Sequence, residues 1–255
     1  MCCVLAVAFI GVFAVGAEAF FGLFGSTPAM SDEDFVRLIR SGSAQEVRAA
    51  IQGGANVNAR VMPVFSYVTP LTEAVRYNSY VEVVTALLEG GADIEATITI
   101  ATSSNNTALH IAARRRYHPE FVAALIDGGA NIEALREESQ SLGGGGQTPL
   151  MDAARSGNLG AVTRLLAAGA NVDAVSSEGY TALMLAARRW PETVIALING
   201  GADVNITRQV RMHTFPGSNE PQTRPQTALD IAQAMFNNHL RDTEALRMLQ
   251  ELTQN

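Results

Sequence analysis

The sequence contains no lysine, and it contains no cysteine after residue 3. All 18 basic residues are therefore arginine; with 25 acidic residues, the formal net charge is −7. The position of Cys2 and Cys3 excludes a disulfide or a thiolate metal site from the rest of the chain. The acidic balance argues against general nucleic-acid binding, which needs an excess of basic side chains facing phosphates. Stability must come from packing alone.

The N-terminal segment is apolar and predicts export. Residues 2–17 carry no charge, and small-x-small patterns near their end offer two cleavage sites. We expect a signal peptide over residues 1–19 and a linker over residues 20–31. One alternative is an uncleaved anchor, because residues 2–24 carry one charge and are long enough to cross a bilayer of about 30 Å. Another is a buried helix. The signal peptide and the anchor both place the rest of the chain in the periplasm or outside the cell, with a membrane contact only through this segment.

A similar stretch of sequence recurs six times. Most copies open with a threonine followed by an alanine-rich segment, and most end in a Gly-Ala-Asn or Gly-Ala-Asp turn. The copies span residues 32–59, 69–96, 107–134, 148–174, 181–205 and 227–252. One such unit cannot bury its own apolar face, so neighbouring units must stack to form a core.

These units resemble the ankyrin repeat. The copy at Thr148 reads TPLMDAARSGNLGAVTRLLAAGANVDA, and the copy at Thr107 reads TALHIAARRRYHPEFVAALIDGGANIEA. Both are similar to the T-P-L-H-x-A-A opening and the G-A-D-V-N ending of that family. The resemblance implies an all-α fold over residues 32–254, a solenoid of stacked helix-turn-helix units with β-turn or hairpin fingers. It also implies a protein-binding module.

Two kinds of residue predict where the helices begin and end. The opening threonine is suited to cap the first helix of a unit by accepting an amide hydrogen bond. Glycine is suited to end the second helix, where φ is often positive. The glycines at that position are Gly91, Gly129, Gly169 and Gly201.

The spacing of the units predicts lengthened fingers, the finger being the stretch between a Gly-Ala turn and the next opening threonine. Opening threonines are 38, 41, 33 and 46 residues apart, against about 33 in a standard unit. Residues 59–68 and 97–106 could extend a β-hairpin, and the glycine run makes 135–147 flexible. Insertions of this kind either form a binding face or are tolerated length drift. For residues 206–226, the longest insertion, we favour binding, because it contains apolar side chains.

Arginine occupies one position in five consecutive units, and aromatic residues lie near it. In the fold that the resemblance implies, this position borders a concave groove, which would suit a protein partner with an acidic patch. The alternative, which the resemblance implies, is that these arginines pair with acidic residues of the fingers. The arginines are Arg40, Arg76, Arg114, Arg155 and Arg188, with Arg115, Arg116 and Arg189 following them.

The predicted partner-binding residues are drawn from this arginine position, the aromatic residues near it and the longest finger. We expect Tyr180 and Trp190 to contribute most, because aromatic side chains carry a large share of binding energy. The full set is Arg76, Tyr77, Arg114, Arg115, Arg155, Tyr180, Arg188, Arg189, Trp190, Arg211 and Phe215.

No pattern in the sequence predicts catalysis. His110 holds the histidine position of the ankyrin consensus, which implies a structural hydrogen bond. The other histidines, His118, His213 and His239, form no metal-like pair, and there is no phosphate-binding loop or Gly-x-Ser-x-Gly elbow. We therefore predict no enzyme activity, no cofactor and no metal.

The preferred function is a monomeric, non-catalytic module that binds a protein outside the cytoplasm through its fingers and concave groove. One alternative is a secreted effector that acts on a host protein. A third interpretation is a ligand-binding protein or an enzyme that uses residues 206–226 as a lid.

Overall fold

The computed structural model describes residues 30–62, 67–100, 103–116, 118–138, 145–211, 223–234 and 244–254. Within these ranges twelve helices follow one another as six consecutive pairs. The pairs are α1 (Asp32–Ser41) and α2 (Ala44–Gln52), α3 (Pro70–Tyr77) and α4 (Val81–Glu89), α5 (Ala108–Arg114) and α6 (Pro119–Asp127), α7 (Pro149–Ser156) and α8 (Leu159–Ala167), α9 (Ala182–Ala186) and α10 (Pro191–Asn199), and α11 (Ala228–Ala234) and α12 (Glu244–Thr253). The predicted signal peptide, and all but the end of the predicted linker, lie outside the described residues.

The pairs stack in two layers. Each first helix packs against the first helix of the next pair, from α1 through α3, α5, α7 and α9 to α11. The second helices, from α2 to α12, form the other layer in the same way. One apolar core runs from Phe35 in α1 to Leu249 in α12, both fully buried. The prediction of an all-α solenoid of stacked helix pairs is confirmed.

Threonine begins the first helix in the predicted way. The hydroxyls of Thr69, Thr107, Thr148 and Thr181 each accept the N–H of the residue three positions later. In α3 and α7 a proline follows at once, where its missing N–H costs no helix hydrogen bond. The opening of each repeat is therefore fixed by local chemistry before any packing.

The Gly-Ala turns end the second helices and line up along one edge. Gly91, Gly129, Gly169 and Gly201 all have φ between +86° and +91°, a conformation that favours glycine, as predicted. The residues that follow link neighbouring turns, because a side-chain oxygen of one turn accepts a backbone N–H of the next. These hydrogen bonds join Asn58 to Asp93 (2.7 Å), Glu95 to Asn131 (2.7 Å), Glu133 to Asn171 (2.7 Å) and Asp173 to Asp203 (2.9 Å).

The fingers contain the described strands. Strands β1 (Ile98–Ile100) and β2 (Ser103–Asn106) form an antiparallel hairpin, and β2 also pairs with β3 (Glu137–Glu138) of the next finger. Strands β4 (Arg208–Arg211) and β5 (Thr223–Gln226) form a second hairpin at the two ends of the longest insertion. Residues 97–106 thus extend a hairpin as expected.

The other two lengthened fingers are closed at their bases. A single β-bridge joins Val61 to Val68, and another joins Arg136 to Gln147. The flexibility expected for residues 135–147 falls on its run of four glycines, two of which, at 143 and 144, lie outside the described residues. Its two ends are held.

Neighbouring fingers also contact one another sideways. Beyond the β2–β3 pairing, the Ser177 N–H and hydroxyl both donate to the carbonyl of Gly145, at 2.9 Å and 2.7 Å. The Arg208 guanidinium then stacks on the Tyr180 ring at 3.9 Å. The second to fifth fingers are therefore connected sideways through their described residues.

Candidate functional site

Arginines cluster where the first helices end. We call this strip the arginine edge: residues 37–43, 74–80, 112–118, 153–158 and 186–190. These five segments contain half of the 18 arginines and no aspartate or glutamate. A protein of net charge −7 thus concentrates positive charge on one strip. The sequence predicted this concentration, and the structure shows what most of these arginines contact.

A buried carboxylate holds the first two arginines of the edge. The Glu73 side chain is 1% exposed, and its two oxygens accept hydrogen bonds from Arg40 Nε at 2.7 Å and Arg76 Nη1 at 3.5 Å. Both guanidiniums also stack on the Tyr77 ring, at 5.2 Å and 5.1 Å from its centroid. Arg40 and Arg76 belong to different repeats, so Glu73 and Tyr77 together join two repeats at this strip.

Two further arginines hold the bases of the fingers. Arg114 Nη2 donates to the amide oxygen of Asn106 at 3.1 Å, and Arg155 Nη2 donates to that of Gln147 at 3.2 Å. Each amide precedes the opening threonine and lies eight residues before its arginine. These two arginines therefore contact the fingers through amide groups. Pairing with acidic finger residues and binding of a partner both remain predictions.

Side chains in the turns between paired helices donate to the preceding repeat. The Asn78 amide donates to the carbonyls of Ile39 (2.7 Å) and Gly42 (3.0 Å). Arg115 donates to the carbonyls of Val75 and Asn78, and partial burial lowers the pKa of its guanidinium. These donors satisfy carbonyls at first-helix ends, which have no partner within their own helix.

At the next two junctions between repeats, an asparagine and a tryptophan donate to the preceding repeat in the same way. The Asn158 amide donates to the carbonyls of Ala113 and Arg115, each at 3.0 Å. Trp190 Nε1 donates to the carbonyl of Arg155 at 3.0 Å. Each of the four junctions between consecutive repeats, from the first repeat to the fifth, thus has such a side-chain donor. The donors are two asparagines, one arginine and one tryptophan, and the alignment of the repeats does not reveal this role.

The two aromatic residues predicted to dominate binding both contact neighbouring repeats. The Trp190 indole lies against Gly157, and the Arg116 guanidinium is 4.2 Å from the centre of the indole. Tyr180 is half-buried and stacked on Arg208. Both rings therefore have structural partners, which reduces the area that either offers to another protein.

The remaining predicted binding residues follow the first helix of the fifth repeat or belong to the longest finger. Arg188 and Arg189 are exposed, and they follow α9, the first helix of the fifth repeat. Arg211 ends β4, within the longest finger. Phe215 lies outside the described residues.

Exposed apolar side chains on the fingers were not named from the sequence. Met62, Tyr67, Leu135 and Val175 are between 54% and 57% exposed. All four lie in stretches between a Gly-Ala turn and the next threonine, where a solvated turn has no need of large apolar groups. That compositional signal could have identified them.

Buried polar groups support the third finger. Arg136 and Asp152 form a two-pronged ion pair with both contacts at 2.8 Å, and their side chains are 2% and 0% exposed. His110 is fully buried, with Nδ1 at 2.9 Å from the Thr107 hydroxyl and Nε2 at 3.1 Å from the Gln147 carbonyl oxygen. Burial lowers the pKa of His110, so the ring is held neutral. These contacts fix the finger to the helices.

The part of the chain that the structure describes contains no cluster of three or more His, Cys, Asp or Glu side chains able to hold a metal ion. None of its helices combines the length and the apolar character that crossing a membrane requires.

Comparison with known proteins agrees with the geometry of the repeats. A model of three ankyrin repeats matches residues 109–208, and a single-repeat model matches residues 67–98. Together the two ranges cover just over half of the chain. No curated protein matches it. Ankyrin repeats generally mediate protein–protein interaction and are typically non-catalytic. On the stacked helix pairs, the aligned turns and these matches, the chain belongs to the ankyrin-repeat family.

Proposed function

We propose that the protein is a non-catalytic docking module that binds another protein outside the cytoplasm, using its fingers and its arginine edge. One observation carries the proposal. Nine large apolar side chains are exposed among the described residues, and six of them lie on the fingers or the arginine edge. The six are Met62, Tyr67, Leu135, Val175, Tyr77 and Tyr80.

The fingers and the arginine edge form one face. Arg114 and Arg155 reach from the edge to the bases of two fingers, one of which carries Leu135, while Tyr77 and Tyr80 lie on the edge itself. Apolar contacts surrounded by charge are typical of protein-binding surfaces. The strip favours a partner with an acidic patch, because opposite potentials speed the encounter of two proteins and select among them.

The proposal that the protein is exported rests on the sequence of its N-terminal segment. The apolar residues 2–17 followed by small residues support a signal peptide over residues 1–19. Fractionation of cells that produce the full chain, beside a form lacking residues 1–19, tests this. Export of the full chain alone supports the proposal, and equal distribution of the two forms contradicts it.

Site-specific photo-crosslinking tests the binding face. A photoreactive residue replaces Leu135 or Val175 on the fingers, or Thr85 or Thr163, which are exposed on second helices. In the cells that produce the protein, we expect the finger positions to crosslink to one protein and the second-helix positions to remain uncoupled. Equal crosslinking from both sets contradicts the proposal. Whether the captured protein comes from the envelope or from a host separates a resident module from a secreted effector.

A further inference from the structure

The first two repeats present an aromatic ring held between two cations. Tyr77 is 51% exposed, and the guanidiniums of Arg40 and Arg76 contact its ring. Because Glu73 is almost fully buried and accepts hydrogen bonds from both guanidiniums, it holds them in place. Tyr77 is therefore an exposed side chain with little freedom to lose on binding, which is the condition that favours a binding hot spot.

The charges at this ring do not balance. Two guanidiniums share one carboxylate, which leaves an excess of one positive charge. A guanidinium has five N–H donors. Among the described residues, Arg40 donates one hydrogen bond, through Nε, and Arg76 donates one, through Nη1. Their remaining N–H groups can receive the carboxylate oxygens of a ligand, a pairing that guanidinium geometry favours.

A surface cavity adjoins the same arginine. It has a volume of about 310 Å³ and lies between α1 and the first finger. Val36 and Val61, 3% and 9% exposed, form its apolar floor, and Met62, 56% exposed, lies at its rim. The other lining residues are Glu33, Arg37 and Arg40. The cavity is large enough for one apolar side chain, and it shares Arg40 with the Tyr77 site.

The other candidate aromatic residues are less available. The indole N–H of Trp190 donates to the Arg155 carbonyl while Arg116 covers one face of the ring, and Tyr180 is half-buried under Arg208. The sequence favoured these two residues as hot spots, but their contacts favour Tyr77.

We propose that Tyr77, with Arg40, Arg76 and the adjoining cavity, forms the principal recognition site, and that it binds an acidic peptide segment of the partner in which an apolar residue lies next to a carboxylate. The apolar side chain enters the cavity against Val36 and Val61. The carboxylate pairs with the guanidinium of Arg40 and with that of Arg37, which is exposed and also pairs with Asp34 at 3.2 Å. Glu33, at the cavity wall, repels a second carboxylate there and so sets the orientation of the segment. This inference rests on the proposed function and names its partner chemistry.

Selection from a phage-displayed library of random 12-residue peptides tests the site. On the purified protein lacking residues 1–19, we expect enriched peptides to carry an apolar residue within two positions of Asp or Glu. Binding of these peptides should fall about tenfold or more in Tyr77→Ala, as for other hot-spot residues, and more moderately in Arg37→Gln. Because the side chain of Arg37 is 79% exposed, its loss should leave the fold intact.

Two variants elsewhere serve as matched controls. Arg48→Gln removes the same charge from an exposed ion pair with Glu89, and Leu159→Ala removes an apolar side chain that is 42% exposed. Both should bind the enriched peptides as the wild type does, and thermal melting followed by circular dichroism verifies the fold of every variant.

Three outcomes overturn the site: enriched peptides without carboxylates, enriched peptides whose binding is unchanged by Tyr77→Ala, or no enrichment at all. The photo-crosslinking experiment judges the proposed function separately, because it depends on the finger positions and not on this site.

Discussion

The Arg116 guanidinium stacks on the Trp190 indole at 4.2 Å, although the two residues belong to the third and fifth repeats. In a solenoid each repeat normally contacts only its immediate neighbours. The fourth repeat permits the exception because it has Gly157 at this point, and a Cβ atom there would lie 2.3 Å from the indole. Repeats three to five are thus joined directly across the arginine edge.

Arg116→Gln should weaken this connection. The stack is worth about 0.5–2 kcal/mol by analogy with other cation–π pairs, so the free energy of unfolding should fall by a similar amount. Trp190 is the sole tryptophan, so the tryptophan fluorescence comes from this ring alone. We expect its emission to change in the folded variant, and urea unfolding followed by fluorescence and circular dichroism measures the stability loss.

Arg189→Gln provides the matched control. It removes the same charge from the residue next to Trp190, where the side chain is exposed, and the change in unfolding free energy should stay below about 0.5 kcal/mol. Equal effects of the two substitutions would contradict a specific stack.

Gly157→Ala should be strongly destabilising for two separable reasons. The residue has φ +69°, which costs a non-glycine residue about 1 kcal/mol, and the new methyl group would overlap Trp190. In a Trp190→Ala background only the backbone cost remains. A double-mutant cycle by urea unfolding should therefore give a coupling energy of about 1 kcal/mol or more, whereas additive effects would show that the indole does not occupy this position.

The repeat architecture could be predicted from the sequence because it depends on local signals. A threonine cap and a glycine at positive φ act within a few residues, and both recur in the second to fifth repeats. The contacts of the arginine position depend on its surroundings instead. Arg114 and Arg155 find an amide eight residues earlier, but at Arg76 that position is Val68, and Arg76 contacts Glu73. Identical positions therefore have different partners.

The role of Trp190 could not be predicted from the sequence for a related reason. An exposed aromatic residue in a turn is typical of a binding site. Its structural partners, Gly157 and Arg116, lie 33 and 74 residues earlier in the chain, and only the stacking of three repeats brings them together.

Asp152→Ala should cost about 3–5 kcal/mol in the free energy of unfolding. It leaves the Arg136 guanidinium, 2% exposed, without the carboxylate that accepts two of its hydrogen bonds. Asp34→Ala breaks the Arg37–Asp34 pair, whose side chains are 79% and 58% exposed, and should cost under about 1 kcal/mol. Similar losses in the two variants, measured by urea unfolding, would contradict the buried pair.

His110 should make the stability of the protein depend on pH below about 6.5. Burial, with help from Arg136 and Arg114, lowers its pKa in the folded state, while Asp152 and the Gln147 carbonyl partly oppose this. In the unfolded chain the pKa returns to about 6.5, so below that pH the unfolded state binds a proton that the folded state does not. The free energy of unfolding should therefore fall as the pH drops, by at most about 1.4 kcal/mol per pH unit.

The variant His110→Gln tests this dependence, because a glutamine side chain can still accept the backbone N–H of Thr107 but cannot titrate. If urea unfolding gives the same pH slope for the variant and the wild type, His110 is not the group responsible.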